Sequence, residues 1–344
     1  MTWARMTRCG AAFAALGLAA TLAPIDGAGA SSAPARTYEV VDLGVLPGGV
    51  SSSGSAVNDD GVVVGSSDVG DATTHAFLWR DGHMTDLGTL AGPSGYSQAN
   101  DVDDDGVVVG ASSTADGGYH PTMWRDGEII DLGTLGGIFG HATGINERGD
   151  VVGFSETATG DTHAFRWRRG RMTDLGTVEG QAYSSAADVD AAGRAVGASG
   201  GPVVWRRDTP TLLPLVPGAD SAEALGTNDR GTSVVGYSLM PGGSSPNRAV
   251  VWHRGVATDL GLESGSSQAL GVNDRNQVVG WWVIDAESVG RAFLWEDGHA
   301  RTLPNLGDLE NGGAAEDIND RGVITGASPD PSGATSLGRA VIWR

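Results

Sequence analysis

His75-Ala76-Phe77-Leu78-Trp79-Arg80-Asp81-Gly82-His83-Met84-Thr85-Asp86-Leu87-Gly88 returns as His163-Ala164-Phe165-Arg166-Trp167, followed by Arg169-Gly170 and then Asp174-Leu175-Gly176. A third copy starts at Arg291-Ala292-Phe293-Leu294-Trp295, and worn copies end at Trp124, Trp205, Trp252 and Trp343. The seven tryptophans stand 38 to 48 residues apart. Periods of about 40–50 residues belong to β-propeller blades or to helical arrays. Within one period the apolar runs are short. Ser97 to Val102 precedes the turn Asp103-Asp104-Asp105-Gly106, then come Val107-Val108-Val109, Thr122-Met123-Trp124 and Ile129-Ile130-Asp131-Leu132. Runs of β-branched and aromatic residues between Asn, Asp and Gly are strands joined by hairpins. None reaches the ~10 residues of a helix. Four strands per period make one propeller blade.

The first hairpin of each copy opens at Asn58, Asp103, Asn146, Asp190, Asn228, Asn273 and Asn319. Gly stands three residues later in six copies and Asn276 in the seventh, residues that accept the positive φ of a tight turn. Both sides of the strand before each Trp are apolar (Val250 and Val251, Val341 and Ile342), so both sides are covered. The last copy lacks its Asp-Leu-Gly strand, and a spare one precedes the first hairpin at Tyr38-Glu39-Val40-Val41-Asp42-Leu43-Gly44. The expected fold is therefore all-β: a seven-bladed propeller of four-stranded blades, closed by the N-terminal strand completing the last blade. Closure removes the edge strands that an open array would expose.

These phrases resemble the HAF-repeat family of probable extracellular repeat proteins. The resemblance rests on His75-Ala76-Phe77 and His163-Ala164-Phe165, on the Asn-x-x-Gly hairpins and on Asp-Leu-Gly-Thr-Leu, and runs from about Tyr38 to Arg344. It departs at Gly201-Pro202-Val203-Val204-Trp205. It implies secretion and a repeat fold and brings no activity with it.

Composition narrows the chemistry. The formal charge is −20 and all 22 basic residues are Arg. Such a balance argues against nucleic acid and anionic membranes as partners, and lysine chemistry is absent. Residues 1–30 read as a secretory signal peptide, with Arg5 and Arg8, an apolar run from Ala11, and Ala28-Gly29-Ala30 at the cleavage position. Residues 31–36 read as a linker and 37–344 as the propeller. The single cysteine, Cys9, lies in the leader, so the mature chain holds no thiol for disulfides or zinc. No later run could form a transmembrane helix.

Candidate sites are those that leave the repeat pattern. Asp101-Val102-Asp103-Asp104-Asp105-Gly106 spells D-x-D-x-D-G, which nominates Asp101, Asp103 and Asp105 as ligands of one calcium. Equivalent hairpins carry Asn146-Glu147-Arg148 or Asn228-Asp229-Arg230, where Arg stands in a ligand position, so the turn also serves folding alone. No other cofactor is expected. Gly197-Ala198-Ser199-Gly200-Gly201 matches a hydrolase G-x-S-x-G, but Gly-x-Ser recurs at Ser67, Ser155, Ser238 and Ser328 and no strand-to-helix turn accompanies it. Seven residues before the hairpin marker, three successive copies carry Tyr96, Phe139 and Tyr183, where the others have Ser51, Ser221, Ser266 and Gly312. Trp281-Trp282 is a second irregularity. Tyr96, Phe139, Tyr183 and Trp281 are thus the candidate ligand-binding residues, with burial between blades as the alternative use of such rings. The function expected is a secreted, non-catalytic recognition or scaffold propeller for an extracellular glycan or protein. The rivals are a polysaccharide hydrolase or lyase using Asp116, Glu156, Asp161 and Glu316, and a cation-binding envelope protein.

Overall fold

The computed structural model describes residues 36–70, 73–241, 247–262, 265–283, 290–308, 312–333 and 338–344. Residues 1–30, expected to be a signal peptide, lie outside the described residues, as do residues 31–35 of the expected linker. Residues Tyr38–Arg344 form one compact unit. Its strands make seven antiparallel blades of four, at residues 52–86, 97–131, 136–174, 185–212, 221–259, 267–302 and 314–343. Blade 2 is typical: Ser97–Val102, Val108–Ser113, Tyr119–Arg125 and Glu128–Asp131 run from the innermost strand outwards. A parallel contact of Phe139 with Tyr119 joins blades 2 and 3 into one eight-stranded sheet. Blade 7 is completed by Val40–Asp42, with Val40 opposite Trp343 and Asp42 opposite Val341. The expected closure is therefore the observed one.

Local chemistry explains each repeated residue. At the first hairpin the Asn or Asp side-chain oxygen accepts the N–H four residues on: Asn58 from Val62 at 2.9 Å, Asp103 from Val107 at 2.8 Å, Asn319 from Val323 at 2.8 Å. Either residue supplies that oxygen. Asparagine adds a donor that reaches the next blade: Asn58 Nδ2 donates to the Asp103 carbonyl at 2.9 Å and Asn146 Nδ2 to that of Asp190 at 2.8 Å. The outer hairpin places two residues at positive φ, as at Asp81 (50°) and Gly82 (84°), which is the type I′ turn that fits strand twist.

The His-Ala-Phe phrase divides its labour. His75 Nδ1 meets the Asp86 carboxylate at 2.8 Å, and His120–Asp131 and His163–Asp174 repeat the pair at 2.9 and 2.8 Å. Arg248 does the same for Asp259 at 3.0 Å. The Asp also accepts the N–H of its following Gly, 2.7 Å at Gly88, so one carboxylate ties the third strand to the outgoing loop. Phe77, Phe165 and Phe293 are fully buried between blades.

The alanine marks the seam. Ala76 lies beyond the end of the four-residue outer strand His83–Asp86, and its N–H is taken at 2.9 Å by Ser97 Oγ of the next blade. Ser97 in turn donates to the Gly88 carbonyl at 2.8 Å. Ser184 repeats both bonds on Ala164 and Gly176, and Ser267 accepts from Ala249. Where proline replaces the alanine there is no N–H to satisfy, and the serine is gone: Pro121 faces Gly140, and Pro202 is followed by Ala222 at the serine position. A Cβ on Gly140 would lie 3.0 Å from the Pro121 ring.

The seam between blades 7 and 1 carries the same bonds. Ala340 N–H donates to Ser52 Oγ at 2.9 Å, Asn319 Nδ2 to the Asn58 carbonyl at 2.8 Å, and Ser52 Oγ to the Gly44 carbonyl at 2.6 Å. In five blades the Gly-x-Ser serine holds the incoming loop, as where Ser199 Oγ accepts from Val178 N–H and donates to the Tyr183 carbonyl, both at 2.9 Å. Ser199 is thereby a loop anchor.

Two outcomes test this account. Ser97→Ala should cost about 1–3 kcal/mol by orphaning a buried N–H and carbonyl, read by denaturant melts. In an Ala76→Pro background the same change should cost much less, and equal costs in both backgrounds would break the pairing rule. Removing residues 38–44 should expose an edge on blade 7 and abolish the cooperative melt; a truncated chain that melts like the parent and stays monomeric would refute strand exchange.

Candidate functional site

Two features depart from the repeat. The first is on the face formed by the incoming loops. Tyr96 and Phe139 are brought together by Tyr119: ring centroids lie 5.7 Å apart for Tyr96–Tyr119 and 6.2 Å for Tyr119–Phe139. The run continues from Phe139 to His141 at 5.0 Å, and His141 stacks on Phe154 at 5.3 Å with the rings 12° from parallel. Phe139 is 39% exposed and its neighbour Ile138 is 67% exposed. Beneath the run, Tyr96 Oη donates to Gln98 Oε1 at 2.9 Å, Gln98 Nε2 to Asn100 Oδ1 at 2.8 Å, and Asn100 Nδ2 to the Ala142 carbonyl of blade 3 at 2.6 Å. Burial lowers the His141 pKa, so the imidazole is neutral at neutral pH.

Tyr183 is half exposed and sits one seam further on, bridging to Thr162, with no ring contact to the run. Trp281 is part-buried on the second strand of blade 6, opposite Gln268 and Ala292. Its column also holds Phe154 and Tyr237, so a large ring there is not peculiar to blade 6. Tyr119, His141 and Phe154 were missed by reading one column at a time. Tyr119 had a signal: five residues before Trp the other copies carry Thr74, Thr162, Gly200, Asn247, Gly290 and Gly338, all smaller.

The second feature is the central channel. Every innermost strand has a register shift three residues before its hairpin marker, and the following residue is Ala56, Asp101, Gly144, Asp188, Gly226, Gly271 or Asp317. Each of the three aspartates accepts two backbone N–H groups. One is its own neighbour's; the other belongs to the next blade, from Ile145 at 2.7 Å, Thr227 at 2.8 Å and Val57 at 2.9 Å. They line two connected cavities of about 130 and 140 Å³ that contain no basic side chain. Burial pushes Asp188 and Asp317 up to about 6, and burial beside the Asp188 charge holds Asp101 well above the usual range. Burial next to Asp317 raises Glu316 to about 7, and at the channel mouth burial raises Asp229 to about 6.

The three calcium candidates are not brought together. Asp101 is committed to the channel N–H groups, Asp103 closes its hairpin, and Asp105 is exposed on the turn. Among the described residues no group of three or more His, Cys, Asp or Glu could hold a metal ion. Nor do the four hydrolase candidates form a pair. Asp116 binds Thr114 Oγ1, Asp161 accepts from Thr159, Glu156 accepts the Ile138 N–H at 3.0 Å, and Glu316 lies in the channel rather than on a loop.

The channel acids give a pH dependence with a definite sign. Their folded pKa values lie above the ordinary aspartate value of 3.8, so their contribution to stability is complete below that value and is lost as pH rises through about 6 to 7. The melting temperature should fall between pH 5 and pH 7.5. Asp188→Asn with Asp317→Asn should flatten that slope, because an amide carries no charge to bury at any of these pH values. A melting temperature that rises over the same interval would contradict the assignment.

No protein-family profile matches the chain, and no curated protein matches it. Solved structures with a similar fold include TolB from Acinetobacter baumannii, at 12% identity over 71% of this chain and 61% of that one, with a TM-score of 0.43. A mutant of AofleA from Arthrobotrys oligospora is 10% identical over 77% of this chain and 89% of its own, with a TM-score of 0.42. A prolyl endopeptidase is 14% identical over 89% of this chain, with a TM-score of 0.46, and this chain spans 50% of its length. The chain is similar to these proteins as an all-β propeller.

Proposed function

We propose that the chain is a secreted, non-catalytic recognition propeller of the HAF-repeat type, and that it binds carbohydrate on its incoming-loop face. The observation that carries this reading is the run of five rings from Tyr96 to Phe154 across blades 2 and 3, in which Tyr119 and His141 stand where the other copies carry small, polar or acidic residues. The seams that carry the serine bond close with no such run of rings. Partly exposed aromatic faces offer a rigid platform at low entropic cost, suited to the apolar face of a sugar ring. Hydroxyl and amide groups around them, at Thr114, Gln98 and Asn100, can meet sugar hydroxyls. Secretion is supported by the leader-like composition of residues 1–30.

Tyr119→Ala and Phe139→Ala, singly, should each weaken retention on a glycan array or an immobilised polysaccharide at least tenfold. Their thermal stability should change little, since both rings lie at the surface edge of the blades. A parent protein that retains no glycan, or variants that retain it as well as the parent, would overturn the proposal.

A further inference from the structure

The structure assigns a second binding site, for a monosaccharide-sized molecule bearing an oxyanion, to the seam between blades 4 and 5 at the hairpin end of the strands. It rests on observations separate from the aromatic run. A cavity of about 320 Å³ opens there, and four arginines line it: Arg194, Arg206, Arg230 and Arg254. The only carboxylate in its lining is Asp190. In a chain with 22 arginines against 42 carboxylates, four arginines around one cavity run against the global balance.

The four have different duties. Arg194 is bound by Asp190 at 2.5 Å and donates through Nη2 to the Arg230 carbonyl of the next blade at 2.9 Å. It is fixed in place across the seam. A Cβ on Gly231, a turn glycine at φ 58°, would lie 1.9 Å from Arg194 Nη2, so the guanidinium passes directly over the turn. Arg230 is held by Asp274 at 2.9 Å. Arg206 and Arg254 have no side-chain hydrogen bond or carboxylate partner among the described residues, and both are exposed at the rim. Two fixed guanidinium groups thus set the shape of the cavity, and two uncompensated ones supply its charge.

The floor is apolar. Val204, Leu213 and the fully buried Trp252 form it, so the site offers a dry surface below and donors above. Pockets for small ligands have this composition and start at about 300 Å³. Guanidinium groups match carboxylate, sulfate and phosphate oxygens in paired hydrogen bonds, which selects an oxyanion over a neutral hydroxyl. Repetition alone does not produce the site. The column of Arg194 holds Val62, Val107, Asp150, Thr232, Gln277 and Val323 in the other blades, and Arg254 occupies a turn position that is Asp in blades 1, 2 and 6.

Titration calorimetry with the chain from residue 31 onwards tests the site, using glucuronate, glucose 6-sulfate and glucose 6-phosphate as probes, with glucose and inorganic sulfate as controls. At least one anionic sugar should bind, glucose should not, and inorganic sulfate should bind more weakly than the anionic sugar. The ranking of the three probes identifies the headgroup. The double variant Arg206→Gln with Arg254→Gln should weaken binding at least tenfold with an unchanged melting temperature. The inference fails if no anionic sugar binds, if the double variant binds like the parent, or if inorganic sulfate binds as tightly as the sugars, which would reduce the site to a surface of positive charge. Failure of glycan retention at the aromatic run would leave this result untouched.

Discussion

One backbone amide organises the ring. The outer strand of a blade is only three or four residues long, so the amide at the alanine of the His-Ala-Phe phrase points past its end into a dry seam. An unmet N–H there costs too much to leave. The blade cannot supply the partner from its own sheet, and a serine from the next blade does so while returning its proton to the glycine of the outgoing loop. Four of the seven seams close this way, on Ser97, Ser184, Ser267 and Ser52; two replace the amide by proline, and at the seam of blades 6 and 7 Ala292 meets Gly313 at the serine position. The stability of one blade is not a property of that blade, which is why the N-terminal strand must find the last one.

Much of this was readable before any coordinates. Blade number, closure and the tolerance of Asn276 at a glycine position all follow from counting turns and from which residues accept positive φ. The task of the serine in G-x-S, anchoring the loop at Val178 and Tyr183, depends on contacts between distant parts of the chain. In the D-x-D-x-D motif the strand bulge sends successive aspartates to different places. The bulge puts Asp101 in the channel while Asp103 turns back to its own hairpin.

The candidate sites were less legible, for a geometric reason. A repeat aligns residues into columns, and scanning a column finds its outliers, which is how Tyr96, Phe139 and Tyr183 emerge. A site on a propeller, however, is assembled across a seam from different columns of two blades. Tyr119 and Phe139 belong to different columns and meet through the parallel contact between blades 2 and 3. The four arginines between blades 4 and 5 come from four columns, none of which is conspicuous alone except that of Arg194.

The exchange of serine for a small residue opposite proline has a further consequence for how such a chain can be rearranged. Blades carrying Pro121 and Pro202 meet Gly140 and Ala222 in the facing position, and four of the five that carry alanine meet serine, Ala292 meeting Gly313 instead. Blades that look interchangeable are therefore keyed to an order. Copying, deleting or shuffling a single blade would join mismatched faces, one with an orphan amide and another with a hydroxyl pressed against a proline ring. The unit that can be moved intact is the half-blade on either side of a seam, and the modular boundary of this protein runs through the middle of its sheets.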